Sequence, residues 1–228
     1  YMNDRASRGD PWVRLTRARW QYLFGQTAQA NQLLDRIAAS PDDPVAPIAA
    51  SLRALRAVGE NDMAMARRAA QQSRMLARTP PQLVFAALAA VAVEPERAAS
   101  TFTDPGLRLE SRALALTLRG DWNAATPVWR EALKHSRGGA DAHQRELLAL
   151  CLVSSGHAAE AAPLVGKLWP LMTREQALVY DFLVVPDLFY VRAEVARATG
   201  RDSEMHRFYG LYQQYAGDRA DRFGRLAK

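Results

Sequence analysis

Residues 119–133 read RGDWNAATPVWREAL, a stretch that predicts a turn followed by a helix. Gly120 suits the turn, because glycine adopts backbone conformations that other residues avoid. Pro127 is tolerated near a helix start, where the first N–H groups have no acceptor within the helix. Apolar residues then recur at spacings that share one helix face, namely Trp122, Ala125, Trp129 and Ala132. The stretch therefore predicts the second half of a helical hairpin, with its helix beginning near Asn123.

Similar stretches recur along the chain. Glycines that follow a helical run and precede an alanine are Gly25, Gly59, Gly120, Gly156 and Gly200. The first two are 34 residues apart, and the third and fourth are 36 apart. An alanine follows five residues after four of the glycines, at Ala30, Ala64, Ala125 and Ala161, and a proline follows seven residues after two of them, at Pro127 and Pro163. A period of this size indicates a repeat architecture of stacked helical units.

On these residues the chain resembles the tetratricopeptide repeat (TPR) family, whose unit is a pair of antiparallel helices. The family pattern is matched at Ala113 and Leu116 in the first helix, and at Gly120, Trp122, Ala125, Trp129 and Ala132 in the second. The match is weaker elsewhere, since residues 80–105 lack the glycine and Met205 stands where alanine is expected. The resemblance implies an all-α fold, a TPR-like right-handed superhelix (α-solenoid) of about five to six helical hairpins.

The expected organisation is one repeat domain over residues 11–216, between a polar lead-in at 1–10 and a basic tail at 217–228. Apolar residues recur with helical spacing, and no run shows the alternation of a strand. A degenerate unit is expected over residues 80–105, two separate helices over 174–182 and 186–199, and a capping helix over 202–216. The aromatic residues of that last helix are expected to cover the preceding hairpin.

The formal net charge is +6, and most of the cations are arginines. A basic surface favours anionic partners through long-range attraction. The single cysteine, Cys151, excludes an internal disulfide and is expected to be a buried hydrophobe. The apolar run over residues 83–93 is too short to span a bilayer and is expected to be a core helix.

The sequence lacks a recognisable catalytic, cofactor or metal motif. No glycine-rich loop has the spacing of a phosphate-binding site, and no two histidines are four residues apart as helical metal ligands would be. His143 and Glu146 share a helix face, but a carboxylate metal site needs several such pairs. We therefore expect no enzyme activity, no cofactor and no metal.

In the TPR family the first helix of each hairpin lines a concave groove that binds the partner. Carried over by register, the resemblance implies that the groove is formed by Trp12, Arg19, Tyr22, Arg53, Arg56, His143, Glu146, Leu150, Tyr190, Glu194 and Arg197. Arg53 and Arg56, three residues apart, could clamp a carboxylate through bidentate hydrogen bonds. The alternative is that both arginines are paired with Glu60 and Asp62.

The resemblance implies a non-enzymatic scaffold that holds a protein partner in a larger bacterial assembly, such as a secretion or exopolysaccharide export machine. The alternative is a regulatory domain that binds an anionic ligand, nucleic acid or acidic glycan, along the basic groove. Nucleic acid is the less favoured partner, because the arginines are interleaved with acids and lack stacking aromatics. Self-association through Trp12, Trp20 or residues 80–93 stays open. The expected location is cytoplasmic, with an inner-membrane tether outside this chain, or periplasmic.

Overall fold

The computed structural model describes residues 9–23, 26–135, 141–165 and 177–216. These residues form twelve α-helices and one 3-10 helix, with no strand in the described part, which confirms the all-α prediction. The 3-10 helix is Pro95–Arg97. The α-helices are α1 Pro11–Leu23, α2 Thr27–Ala38, α3 Ala46–Gly59, α4 Met63–Leu76, α5 Pro80–Val93, α6 Ala98–Thr101, α7 Pro105–Leu118, α8 Trp122–His135, α9 Asp141–Ser154, α10 Ala158–Val165, α11 Ala177–Ala198 and α12 Asp202–Ala216.

The helices pack as successive pairs. Five pairs are α1 with α2, α3 with α4, α7 with α8, α9 with α10, and α11 with α12. The remaining long helix, α5, is followed only by the 3-10 helix and the four-residue α6. This shortened unit lies within the residues 80–105 where the sequence predicts a degenerate repeat. The breaker pairs Glu94-Pro95 and Asp104-Pro105 explain it, because they leave too few residues between them for a full helix.

The turns between paired helices have a common geometry. Gly120, Gly156 and Gly200 adopt positive φ angles of 79°, 89° and 70°, which is the conformation that ends helices at glycine. In the second hairpin this position is occupied by Asn61, at φ 61°, whereas Gly59 is the last residue of α3. The predicted register at Gly59 is therefore wrong by two residues, since asparagine also tolerates this conformation.

The corrected register identifies the small residues at the helix contacts. The alanine five residues after Asn61 is Ala66, which is fully buried, whereas Ala64 is exposed. The equivalent position in four hairpins is fully buried, at Ala30, Ala66, Ala125 and Ala161. Because alanine has no side chain beyond Cβ, it lets neighbouring helix backbones approach closely. Gly25, which belongs to the first turn in the sequence pattern, lies outside the described residues.

A single helix, α11, replaces the two helices predicted over residues 174–182 and 186–199. It runs for 22 residues through Pro186. Proline removes one helix hydrogen bond and bends a helix, but it does not end a helix whose other residues are held by packing. α11 packs against α1, α9, α10 and α12, so tertiary contacts offset the cost of the proline.

The first and last hairpins meet, because α1 packs against α11 and α3 also contacts α7 and α11. In an open array each unit contacts only its neighbours. Here both helices of the hairpins contribute to one core, in which Trp129, Tyr212, Leu15 and Leu34 are among the largest fully buried side chains. The described residues thus form a closed array of helical hairpins. The TPR-like right-handed superhelix stays a prediction.

Candidate protein-binding surface

The predicted groove residues lie in the interior. Seven of them are at most 8% exposed: Arg19, Tyr22, Arg56, Glu146, Leu150, Tyr190 and Glu194. They lie on the first helices of their hairpins, as the register predicts. Those helices pack against one another instead of facing an open concave surface, because α11 closes on α1 and α9. The expectation that these side chains line an accessible groove is therefore corrected.

The other four predicted groove residues differ in their environments. Trp12 is 46% exposed at the start of α1. The side chain of Arg197 is 49% exposed and that of Arg53 only 11%. His143 belongs to α9, but its side chain lies outside the described part. Because Arg53 is nearly buried, the three described side chains, Trp12, Arg53 and Arg197, do not form one exposed surface.

Arg53 and Arg56 already bind an internal carboxylate. The Arg56 guanidinium lies 3.1 Å from Glu60, and that of Arg53 lies 3.4 Å from Glu60 and 3.1 Å from Asp35. The guanidinium of Arg56 also lies 4.1 Å from the centre of the Tyr22 ring, a cation–π contact. The pairing with Glu60 is the internal alternative that the sequence left open, with Asp35 of α2 in place of Asp62. It leaves little of either arginine for a partner, and the clamp on a partner carboxylate stays a prediction.

A second buried polar cluster joins the last hairpin. Glu194 accepts hydrogen bonds from the Tyr209 hydroxyl and from Arg197, the latter at 2.7 Å. Burial, followed by the bond to Glu194, raises the pKa of Tyr209 above its ordinary value. The Tyr190 and Tyr212 rings, 5.7 Å apart, pack in the same region. These contacts fix α12 on α11 of the same hairpin, and they account for Glu194 and Tyr190 as structural residues.

Cys151 is fully buried, and burial raises the pKa of its thiol to about 12, so it is not a reactive nucleophile at neutral pH. Among the described residues no three His, Cys, Asp or Glu side chains are placed to hold a metal ion. Searched over that same part of the chain, the structure contains no helix long and apolar enough to cross a membrane.

A cleft of about 690 Å³ lies where α3, α5 and α7 end. Its charged residues are Arg67, Glu94, Glu96 and Arg119. Arg119 donates hydrogen bonds to the carbonyl oxygens of Ala92 and Val93, so its guanidinium is engaged by the end of α5. The mixture of two arginines and two glutamates does not select an anionic ligand.

The most exposed apolar surface is at the opposite end of α5. Leu83 is 51% exposed and Val84 44%. Two residues of the adjoining helices add to it, Met75 of α4 at 58% and Leu107 of α7 at 43%. The sequence predicts a core helix over residues 83–93 and leaves residues 80–93 open for self-association, but it does not predict which of these side chains are exposed. The available signal was the short spacing between breakers after Val93, which leaves α5 without a full-length partner helix.

These features define the class of protein: an all-α array of packed helical hairpins that presents an exposed apolar surface at its shortest unit. Compared with protein-family models, with curated proteins and with solved structures, the chain shows no match.

Proposed function

We propose that the protein is a non-enzymatic, TPR-like interaction scaffold that binds a partner protein through the exposed end of α5. The observation that carries the proposal is the exposure of Met75, Leu83, Val84 and Leu107 on α5 and on the two helices that contact it, α4 and α7. Single exposed apolar residues are ordinary, but a group of them on adjoining elements marks interaction sites. The closed interior makes this surface a better candidate than the groove implied by the repeat register.

The position of the surface supports the proposal. Met75 is next to last in α4, Leu83 and Val84 lie in the first turns of α5, and Leu107 lies in the first turn of α7. α5 contacts both α4 and α7, so the four residues lie towards one end of three neighbouring helices. Rigid helices hold them in place, which limits the conformational entropy lost on binding.

Binding of an anionic polymer is the second candidate. Arg67, Arg68 and Arg74 of α4 are exposed, and no ion pair joins them to another residue of the described part. A polyanion would contact such arginines through its charged groups, and its affinity would fall steeply with salt. A partner that binds apolar residues would lose much less affinity under the same change.

A photo-crosslinking amino acid at position 83 tests the proposal in cells, with the exposed Ala124 of α8 as the matched control position. We expect a discrete protein adduct from position 83 and none from position 124. Equal crosslinking from both positions, or no protein adduct together with salt-sensitive binding to heparin, would contradict the scaffold proposal. The second of these outcomes would favour the anionic polymer.

A further inference from the structure

We propose that the exposed face of α5 is the docking site for an acidic amphipathic helix of the partner protein, seated where the third hairpin lacks half of its second helix. The site, here named the α5 site, consists of Leu83, Val84 and Ala87 on α5 with Arg108 and Arg112 on α7. The inference rests on the proposed function and specifies the chemistry of its partner.

The second helix of the third hairpin is shorter than those of its neighbours. The second helices of the flanking units, α4 and α8, are 14 residues long. In the third unit the 3-10 helix and α6 together provide half that length. Phe102, which follows α6, packs with Val91 and Ala115 and covers the C-terminal half of α5. The N-terminal half of α5 therefore lacks about two helical turns of covering structure.

The uncovered part of α5 is apolar. Leu83 and Val84 are exposed, and Ala87, one turn later, is half-buried where the Phe102 cluster begins. Gln82 is the only polar residue of this helix. The side-chain amide of Gln82 already has a hydrogen-bond partner, because it donates to the carbonyl oxygen of Pro44 at 2.8 Å. An occupant of the site consequently needs an apolar face of its own, because burial of polar groups against these side chains would be unfavourable.

The border of the site is basic. Arg119 at the end of α7 donates to Val93 at the end of α5, so the two packed helices are parallel. Because Ala115 packs with Val91, Arg112 and Arg108 lie about one and two turns earlier beside the exposed half of α5. No ion pair joins either arginine to another residue of the described part. Carboxylates on the flank of a docked helix would therefore find unpaired guanidinium groups.

The charge of the α5 site favours an acidic partner helix over two other possible occupants, a second copy of the chain and the chain's own tail. A symmetric dimer through the α5 site would place four arginines in one interface, Arg108 and Arg112 of each copy, between chains that each carry a net charge of +6. The chain's own tail, GDRADRFGRLAK, has more cations than carboxylates. Both alternatives oppose like charges, whereas an acidic partner helix combines apolar burial with complementary charge.

The test uses the full chain and two synthetic amphipathic helical peptides with the same leucine face, one flanked by glutamates and the other by lysines. We expect the glutamate peptide to bind the wild type, measured by fluorescence anisotropy, and the lysine peptide to bind at least tenfold more weakly. Leu83→Ser with Val84→Ser should weaken binding about tenfold or more, because apolar contact is lost. Both residues are exposed, so these changes should leave the thermal unfolding midpoint nearly unchanged.

A second experiment reverses the charge of the two arginines beside the site. Arg108→Glu with Arg112→Glu should weaken the glutamate peptide and strengthen the lysine peptide, each by about tenfold, as expected for two ion pairs of moderate exposure. Arg67→Glu with Arg68→Glu, the same charge change on α4, is the matched control and should alter neither affinity by more than about twofold. We expect only the changes at Arg108 and Arg112 to reverse which of the two peptides binds more tightly.

Several outcomes would overturn the inference. These are equal binding of both peptides, no effect of the α5 variants, or binding of the wild type to anionic lipid vesicles in place of the glutamate peptide. A dimer that Leu83→Ser and Val84→Ser dissolve would identify a second copy as the occupant. If position 83 still crosslinks a partner whose capture the charge swap leaves unchanged, the scaffold function stands and only the acidic-helix inference fails.

Discussion

The indole N–H of Trp129 donates a hydrogen bond to Oγ1 of Thr117 at 2.8 Å. The same hydroxyl donates to the carbonyl oxygen of Ala113 at 2.8 Å and lies 3.4 Å from the sulfur of Cys151. One buried hydroxyl group thus connects residues of α7, α8 and α9. Satisfying the only polar atom of the tryptophan side chain allows its large apolar ring to be fully buried.

Replacement of Trp129 by alanine should lower the free energy of unfolding by about 3–5 kcal/mol, because the ring leaves a large cavity. Thr117→Val should cost about 1–3 kcal/mol, since it leaves the indole N–H buried without an acceptor. Urea unfolding followed by circular dichroism measures both. Thr117→Ser, which keeps the hydroxyl, is the control for the lost bond. A valine variant as stable as wild type would show that the hydrogen bond does not contribute.

The corrected repeat register predicts opposite effects of the same change at two glycines. Gly120→Ala should destabilise by about 1–2 kcal/mol, because alanine avoids the positive φ angle found there. Gly59→Ala should stabilise by about 0.5–1 kcal/mol, since the residue is helical. The added methyl group would make only ordinary contacts, with Leu118 at 3.9 Å. Thermal unfolding of the two variants distinguishes the two registers. Destabilisation by both substitutions would support the original register, in which Gly59 occupies the turn position.

Arg56→Ala should destabilise by about 1–3 kcal/mol, because it removes a hydrogen-bonded and ring-stacked guanidinium from the junction of α1 and α3. Arg56→Lys should recover part of this loss, since an ammonium keeps the charge but not the planar contact with Tyr22. A double-mutant cycle with Glu60→Ala isolates the pair. Unfolding unchanged in Arg56→Ala would support an available groove arginine instead of a structural one.

Tyr209 should make stability depend on alkaline pH. Its pKa is raised in the folded protein by burial and by the bond to Glu194, so the folded state keeps this proton more tightly than the unfolded state does. The resulting stability is fully present below the ordinary tyrosine pKa of about 10. It is lost as the pH rises from there through the folded pKa.

Tyr209→Phe removes the titrating group and should flatten this alkaline loss. The measurement is the urea unfolding midpoint of both proteins at a series of pH values from neutral to alkaline. Identical slopes for the wild type and the phenylalanine variant would show that Tyr209 does not titrate differently on folding. Tyr215→Phe is a matched tyrosine change on the same helix and controls for the other ionisations.

The sequence by itself determined that the chain is all-α and located the turns at Gly120, Gly156 and Gly200. This information is local: glycine, proline and asparagine select turn conformations, and apolar spacing selects helices. It also identified three of the four buried alanines, Ala30, Ala125 and Ala161, because the repeat pattern records which helix face packs. From the same local signals the sequence predicts two helices where the structure has one, α11, which runs through Pro186. Local signals do not include the tertiary contacts that hold α11 together.

Only the tertiary structure decided which of the patterned faces is exposed. The register correctly placed residues such as Glu146, Tyr190 and Glu194 on the first helices, but whether those helices surround an open groove depends on how far the array curves. Contacts between residues distant in sequence, such as those of α1 with α11, set that curvature. The exposure of Leu83 and Val84 has a similar origin, because it follows from a missing neighbouring helix and not from the residues of α5.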